Sequence, residues 1–272
     1  MLLDETKLPN GQTVPRLVHK YFSIDENLLS TLSDGYLWFT DPMDFNDPYD
    51  CNLMIDAATE GDQMEKYIQR WPLPKEDISA SIQHYGDNPN EFRENLKNEF
   101  LNVLKKMGVG VTCFSEKKDN LLMWSHYANK HKVVCLTFDM SKDTSLFSST
   151  SLLKVEYPGE YPRFQYVKYF LENFDQPKKG ELLQFTVATK SEEWKYESEI
   201  RLVRWAVKHN PFRGAVKFKR EALVGVTFGY KSQRGEIDKV LKTIECSGYS
   251  VGQIEKAVLK DLGFGLSFNT LN

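Results

Sequence analysis

Trp194-Lys195-Tyr196-Glu197-Ser198-Glu199-Ile200-Arg201 sets two carboxylates, two cations and two large aromatics side by side. Solvent-facing segments seldom carry two large aromatics, and core segments seldom carry four charges. The stretch therefore lines something half-buried, where charges meet one another or a ligand. Read as a strand, its side chains alternate between faces. Lys195, Glu197, Glu199 and Arg201 then share one face, and Trp194, Tyr196, Ile200 and Leu202 share the other. A helical reading also stands, with Tyr196, Ile200, Val203 and Val207 as a stripe and Glu197 four residues before Arg201. The β-favouring Phe185-Thr186-Val187 ahead of it and Val203-Arg204-Trp205 behind it favour the strand.

Outward from this stretch the chain is rich in strand patterns. They fall at 17–22, 36–40, 109–115, 133–138, 152–157, 215–218 and 223–228, with closing strands at 251–259 and 266–268. Val133 to Phe138 is nearly all apolar, which predicts a central strand. Ser23 or Asp25 can cap a short helix that Gly35 ends. Further helices are expected at 121–127, 166–174 and 232–244. Residues 56–107 change character and become polar and helix-favouring. There Phe92, Leu96, Phe100 and Leu104 recur every four residues, with Asn88 as a cap and Gly108 after the end. The expected fold is α+β. Residues 1–272 form a single domain, a mixed, largely antiparallel sheet core, and residues 56–107 form a helical insertion or lid within it.

The 272 residues are 41% hydrophobic and 27% charged, with a net charge of −3 and a pI near 6.0. Such a chain folds, and its balance argues against a broad nucleic-acid-binding face. Cys51, Cys113, Cys135 and Cys246 show no C-x-x-C spacing, so neither a zinc ribbon nor a thioredoxin motif is present. His126 and His131 are not spaced like the ligands of a zinc helix, and no metal is expected. Ser125 and His126 are neighbours that face apart on a helix, so they make no nucleophile–base pair. No nucleophile elbow, P-loop or dinucleotide fingerprint occurs. The first residues lack a basic region followed by an apolar run, and no apolar stretch reaches membrane-spanning length. The expectation is a cytoplasmic protein with no membrane partner.

Four groups of residues could carry chemistry. They are His19-Lys20-Tyr21; Phe39 with Asn46 and Asp47; Trp124-Ser125-His126-Tyr127; and Glu197 and Glu199 with Arg201. Two carboxylates on one face repel each other and raise a pKa unless cations sit near. The glutamates are therefore either part of a charge ladder on an exposed strand or part of a site.

Three segments together resemble a bacterial family, domain-of-unknown-function family 2971. The first runs from Lys20-Tyr21-Phe22 through Leu37-Trp38-Phe39-Thr40-Asp41-Pro42 to Phe45-Asn46-Asp47-Pro48. The second is Cys113-Phe114-Ser115 with Met123-Trp124-Ser125-His126-Tyr127-Ala128, and the third is the stretch 194–201. That family carries no established activity. A weaker, architectural resemblance is to the ADP-ribosyltransferase superfamily, on a polar first strand, a short helix, Gly35-Tyr36-Leu37-Trp38-Phe39 and a late Glu-x-Glu. It implies NAD as substrate. His19 or Lys20, with Tyr21, Asn46, Asp47, Trp124 and Arg201, would bind it, and Phe39 or Tyr127 would stack on nicotinamide. Glu199, with Glu197 and His126, would form the catalytic group. Glu199 would stabilise an oxocarbenium-like transition state, and Glu197 would steer the acceptor. The implied protein is an ADP-ribosyltransferase-like enzyme of a bacterial defence, toxin or stress system, acting on a small-molecule nucleotide and a protein or nucleic-acid acceptor. Two other readings remain open: a non-catalytic sensor or partner-binding module, and a nuclease-like effector using His126, Asp47 and Glu199.

Overall fold

Val133–Asp139 is buried at every position and runs through the middle of an eight-stranded sheet. Its alternate residues feed different clusters. Val134, Leu136 and Phe138 join the main core, whereas Val133 and Cys135 pack with Trp124, Ala257 and Leu266. A strand covered on both faces reads as an unbroken apolar run, as the sequence predicts here. The computed structural model describes residues 4–51, 54–55, 62–126, 133–174, 184–205 and 213–271.

In spatial order the strands are Leu266–Thr270, Gln253–Leu259, Leu223–Phe228, Val133–Asp139, Leu17–Ser23, Gly110–Ser115, Glu199–Arg204 and Leu152–Lys154. Within this sheet, among the described residues, only the pairing of Leu223–Phe228 with Gln253–Leu259 is parallel. The architecture is thus α+β, a mixed and mostly antiparallel sheet with helices. Helices Glu26–Asp34 and Arg234–Cys246 send Leu28, Leu32, Ile237, Val240 and Ile244 into the main core. Asp25 caps the first of these by accepting from the Asn27 and Leu28 amides at 3.0 and 3.1 Å. Gly35 ends it at φ 64°, a left-handed conformation that suits glycine.

Residues 63–107 hold the helices Gln63–Ile68, Lys75–Asp87 and Pro89–Met107. Tyr67, Ile68, Phe92 and Leu96 pack with Val167 of helix Tyr166–Glu172 in a cluster of their own. Within the described side chains, the four-residue apolar spacing thus buries Phe92 and Leu96 against other helices.

The stretch 194–201 differs from the expected strand. Residues Glu192–Glu197 form a 3-10 turn, Ser198 turns left-handed at φ 44°, and the strand begins at Glu199. Ser115 Oγ donates to the Glu197 carbonyl at 2.6 Å and Asn120 donates to the Tyr196 carbonyl at 2.7 Å, which hold the turn in place. Lys195 accordingly leaves the charged face. It is exposed and pairs with Glu192 at 3.6 Å. Trp194 and Tyr196 sit half-buried at the surface, and only Ile200 and Leu202 enter the main core.

Candidate functional site

Leu17–Ser23 pairs with Val133–Asp139 along its whole length but meets Gly110–Ser115 at one pair, His19 with Ser115. Further along, Val111 exchanges backbone hydrogen bonds with Thr40 instead, at 2.9 and 2.8 Å. Between these two anchors the sheet opens. A cavity of about 210 Å³ occupies the opening, lined by His19, Lys20, Tyr21, Phe45, Asn46, Asp50, Cys113, Phe114, Ser115, Met123, Lys190, Glu197, Glu199 and Arg201. Three consecutive residues of one strand line it because the cavity lies at the strand's unpaired edge rather than on one face. The Lys20 ammonium donates to the Cys113 carbonyl across the gap at 2.9 Å.

Arg201 is fully buried and anchors the far wall. Its Nε and one terminal nitrogen donate to the two Glu199 oxygens at 2.9 and 3.0 Å. Its terminal nitrogens also donate to both Asp50 oxygens, at 2.7 and 2.6 Å, and to the Val187 carbonyl at 2.8 Å. A guanidinium has five N–H donors, and these bonds use them all. The Phe45 ring lies 5.1 Å from the guanidinium. Lys190 completes the group. It donates to Glu197 at 2.6 Å and lies 3.6 Å from Glu199 and 3.8 Å from Asp50, with its ammonium 4.5 Å from the Trp194 ring centre. Three buried carboxylates thus share two buried cations.

The charge states follow from this geometry. Burial alone would push Glu199 up, but the Arg201 charge and hydrogen bonds, then Lys190, hold its carboxyl well below the usual range, at about 2. Burial likewise opposes the charge on Lys190, and Glu199 and Glu197 reverse that and raise its pKa. Lys20 shows the opposite balance. Burial lowers its pKa, and among the described residues it forms no salt bridge. His19 falls to about 4 through burial and then the nearby Lys118, so it is neutral near pH 7. Its Nδ1 shares a hydrogen bond with the Thr137 hydroxyl at 3.1 Å. Burial pushes the Cys113 and Cys51 thiols up, so neither is a ready thiolate.

Cys51 and Ser198 are the non-glycine residues with positive φ among the described residues, at 55° and 44°. Each adjoins a carboxylate of this group, Asp50 in one case and both glutamates in the other. Left-handed backbone at non-glycine residues costs energy and clusters at functional sites.

His19, Lys20, Tyr21, Asn46, Glu197, Glu199 and Arg201 of the sequence-derived candidates therefore meet at one cavity. Phe39 is buried in the main core. Trp124 is buried on the other face, where its indole donates to the Lys118 carbonyl at 2.6 Å and it packs edge-to-face on Tyr21. Asp47 is buried and accepts from the Tyr49 amide at 2.9 Å. His126 is exposed, 5.8 Å from the Tyr196 ring. None of these four lines the cavity, and Tyr127 and His131 lie outside the described residues. Sequence reasoning missed Asp50 and Lys190. The signal for Asp50 was the cluster of four aspartates at 41–50, one of which had to reach the buried arginine. Lys190 lies in a loop and gave no periodic signal.

A family profile described as "Protein of unknown function (DUF2971)" matches residues 123–202. The chain resembles that family there. The matched segment spans Met123, Lys190, Glu197, Glu199 and Arg201 of the cavity. No curated protein matches the chain. A solved structure of Thermus sp. 2.9 DarT in complex with ADP-ribosylated single-stranded DNA aligns over 92% of this chain and 96% of that one, at 12% identity and a TM-score of 0.35. A likeness that loose carries no argument about activity. Among the described residues no group of three or more His, Cys, Asp or Glu side chains could hold a metal, and no helix is long and apolar enough to cross a membrane.

Proposed function

We propose that the cavity binds the nicotinamide-ribose end of NAD and that the protein transfers ADP-ribose from it. The observation that carries this reading is convergence. Polar residues of the first strand of the sheet, His19 and Lys20, meet the late-strand pair Glu197 and Glu199 at the split in the sheet. The ADP-ribosyltransferase resemblance implies that layout. A volume near 210 Å³ is small for a whole dinucleotide but suits one end of it. Lys20, a half-buried ammonium that forms no salt bridge among the described residues, favours a phosphate group. Neutral His19 offers its second ring nitrogen to a ribose hydroxyl. In this reading ionised Glu199 stabilises the cationic character that develops as the bond to nicotinamide weakens, and Arg201, itself held by Asp50, fixes its carboxylate.

One observation favours a second reading. Both Glu199 oxygens already accept from Arg201, as they would in a binding module whose charges only shape a ligand pocket. Glu199→Gln separates the two. It keeps size and removes charge, so a transferase loses roughly a hundredfold or more in nicotinamide release, with NAD affinity changed much less. Wild-type protein that binds NAD in calorimetry yet releases no nicotinamide, with or without cell extract as acceptor, points to the binding module. Absence of NAD binding at millimolar concentration sinks both. The nuclease-like effector needs His126 and Asp47 beside Glu199, and neither lines the cavity with it.

A further inference from the structure

A second cavity, of about 290 Å³, adjoins the first, and Lys190 forms part of both walls. Its mouth is aromatic. Tyr49 and Tyr161 stand edge-to-face at 5.6 Å and remain 63% and 39% exposed, with Phe185 deeper in the lining. Thr189 and Ser191 add hydroxyl groups. The charged side chains of the lining are Lys190 and Glu160. Lys190 is already matched by Glu197 at 2.6 Å and by Glu199 and Asp50 within 3.8 Å. Glu160 forms no ion pair among the described residues.

We infer that this cavity is a second binding site, for the flat aromatic ring of an uncharged molecule that carries a hydroxyl or amine. Tyrosine rings stack on flat rings whatever their edge pattern, and the two hydroxyls can read a polar edge. A phosphate placed here would face Glu160 with no uncommitted cation beside it, so the lining selects against nucleotides and nucleic-acid backbone. Lys190, which donates to Glu197 at 2.6 Å, lines both cavities, so the occupant lies next to the first cavity and is placed as the acceptor. That last assignment rests on the transferase reading; the binding of the ring does not. In the transfer, an oxygen or nitrogen of the acceptor bonds to the anomeric carbon of the ribose. The bond to the nicotinamide nitrogen breaks, its electron pair leaves with neutral nicotinamide, and the acceptor's proton passes to Glu197.

Adenosine is the probe: neutral, flat and hydroxylated. Calorimetry should show adenosine binding to the wild-type protein, and Tyr161→Ala and Tyr49→Ala should each weaken it by about tenfold. Adenosine monophosphate should bind several-fold more weakly than adenosine, and protein saturated with NAD should still take adenosine. Lys20→Met should weaken NAD and leave adenosine unchanged, which keeps a failure of the NAD reading distinct from a failure of this one. No adenosine binding at millimolar concentration, or binding indifferent to both tyrosines, overturns the site. Tighter binding of the monophosphate or of a short oligodeoxythymidylate overturns the selection for uncharged molecules. Competition between NAD and adenosine overturns the acceptor role.

Discussion

Two ion groups lie in the same sheet and teach opposite lessons. Lys118 and Glu255 meet at 2.6 Å, and Thr227 and Gln253 donate to the same carboxylate at 3.0 and 2.8 Å. Opposite charges are equal in number there and no left-handed non-glycine residue adjoins them. The Arg201 group has more carboxylates than cations, is more deeply buried, and is flanked by Cys51 and Ser198 in left-handed backbone. A pair tuned for stability needs neither charge excess nor backbone strain. Their presence beside a cavity supports the proposal that these residues are held ready for a ligand.

The largest test of this contrast is removal of a cation from each group. Arg201→Met strands Asp50 and Glu199 in the interior with Lys190 alone, and breaking a buried ion group in this way costs about 3–5 kcal/mol. Lys118→Met breaks a pair in which the lysine is 25% exposed, and the expected loss is about 1 kcal/mol. Urea denaturation of both variants measures the difference. Equal losses would erase the distinction drawn between the two groups.

Acid sensitivity sharpens it next. His19 has a depressed pKa of about 4 in the folded protein against 6.5 ordinarily, so the unfolded chain binds its proton first. Stability from neutral His19 is whole above pH 6.5 and is lost as pH falls towards 4, by about 3 kcal/mol at the limit. Glu199, also depressed, at about 2 against 4.5, adds a second loss as pH falls from 4.5 towards 2. His19→Gln should flatten the stability curve between pH 6.5 and 4 and keep the limb below 4.5. A curve for this variant that still falls between pH 6.5 and 5 assigns the upper limb elsewhere.

Much of the fold was legible because burial leaves periodic marks. The apolar run at 133–138, the Asp25 and Gly35 caps and the alternation of Ile200 and Leu202 are each enforced by one local rule. The cavity lining was legible only in part, since Phe39, Asp47, Trp124 and His126 stand outside it, and its mechanism of assembly was not legible. Alternation predicts that Glu197 and Glu199 face one way, and they do meet in one cavity, yet Ser198 in a left-handed turn brings them there. Serine is not a residue that announces that conformation. Asp50 reaches Arg201 across 151 positions of sequence, and nothing local distinguishes it from Asp41, Asp44 or Asp47.

The smallest expected effect is the most pointed. Alternation places Lys195 beside the glutamates, as the cation that relieves their repulsion. In the structure that cation is Lys190, 4% exposed at its side chain, whereas Lys195 is 67% exposed and 3.6 Å from Glu192. Exposed pairs of this kind are worth between nothing and about 1 kcal/mol, because two long side chains must be ordered in a high-dielectric, salt-screened setting. Lys195→Met should therefore change the urea midpoint by less than the error of comparison and leave NAD binding untouched. Lys190→Met should destabilise strongly and raise the pH at which Glu199 titrates, since it removes one of the cations that hold that carboxyl down. If the two variants proved alike, the 3-10 turn at Glu192–Glu197 would be the wrong account of this segment, and the regular strand would return with Lys195 facing the cavity.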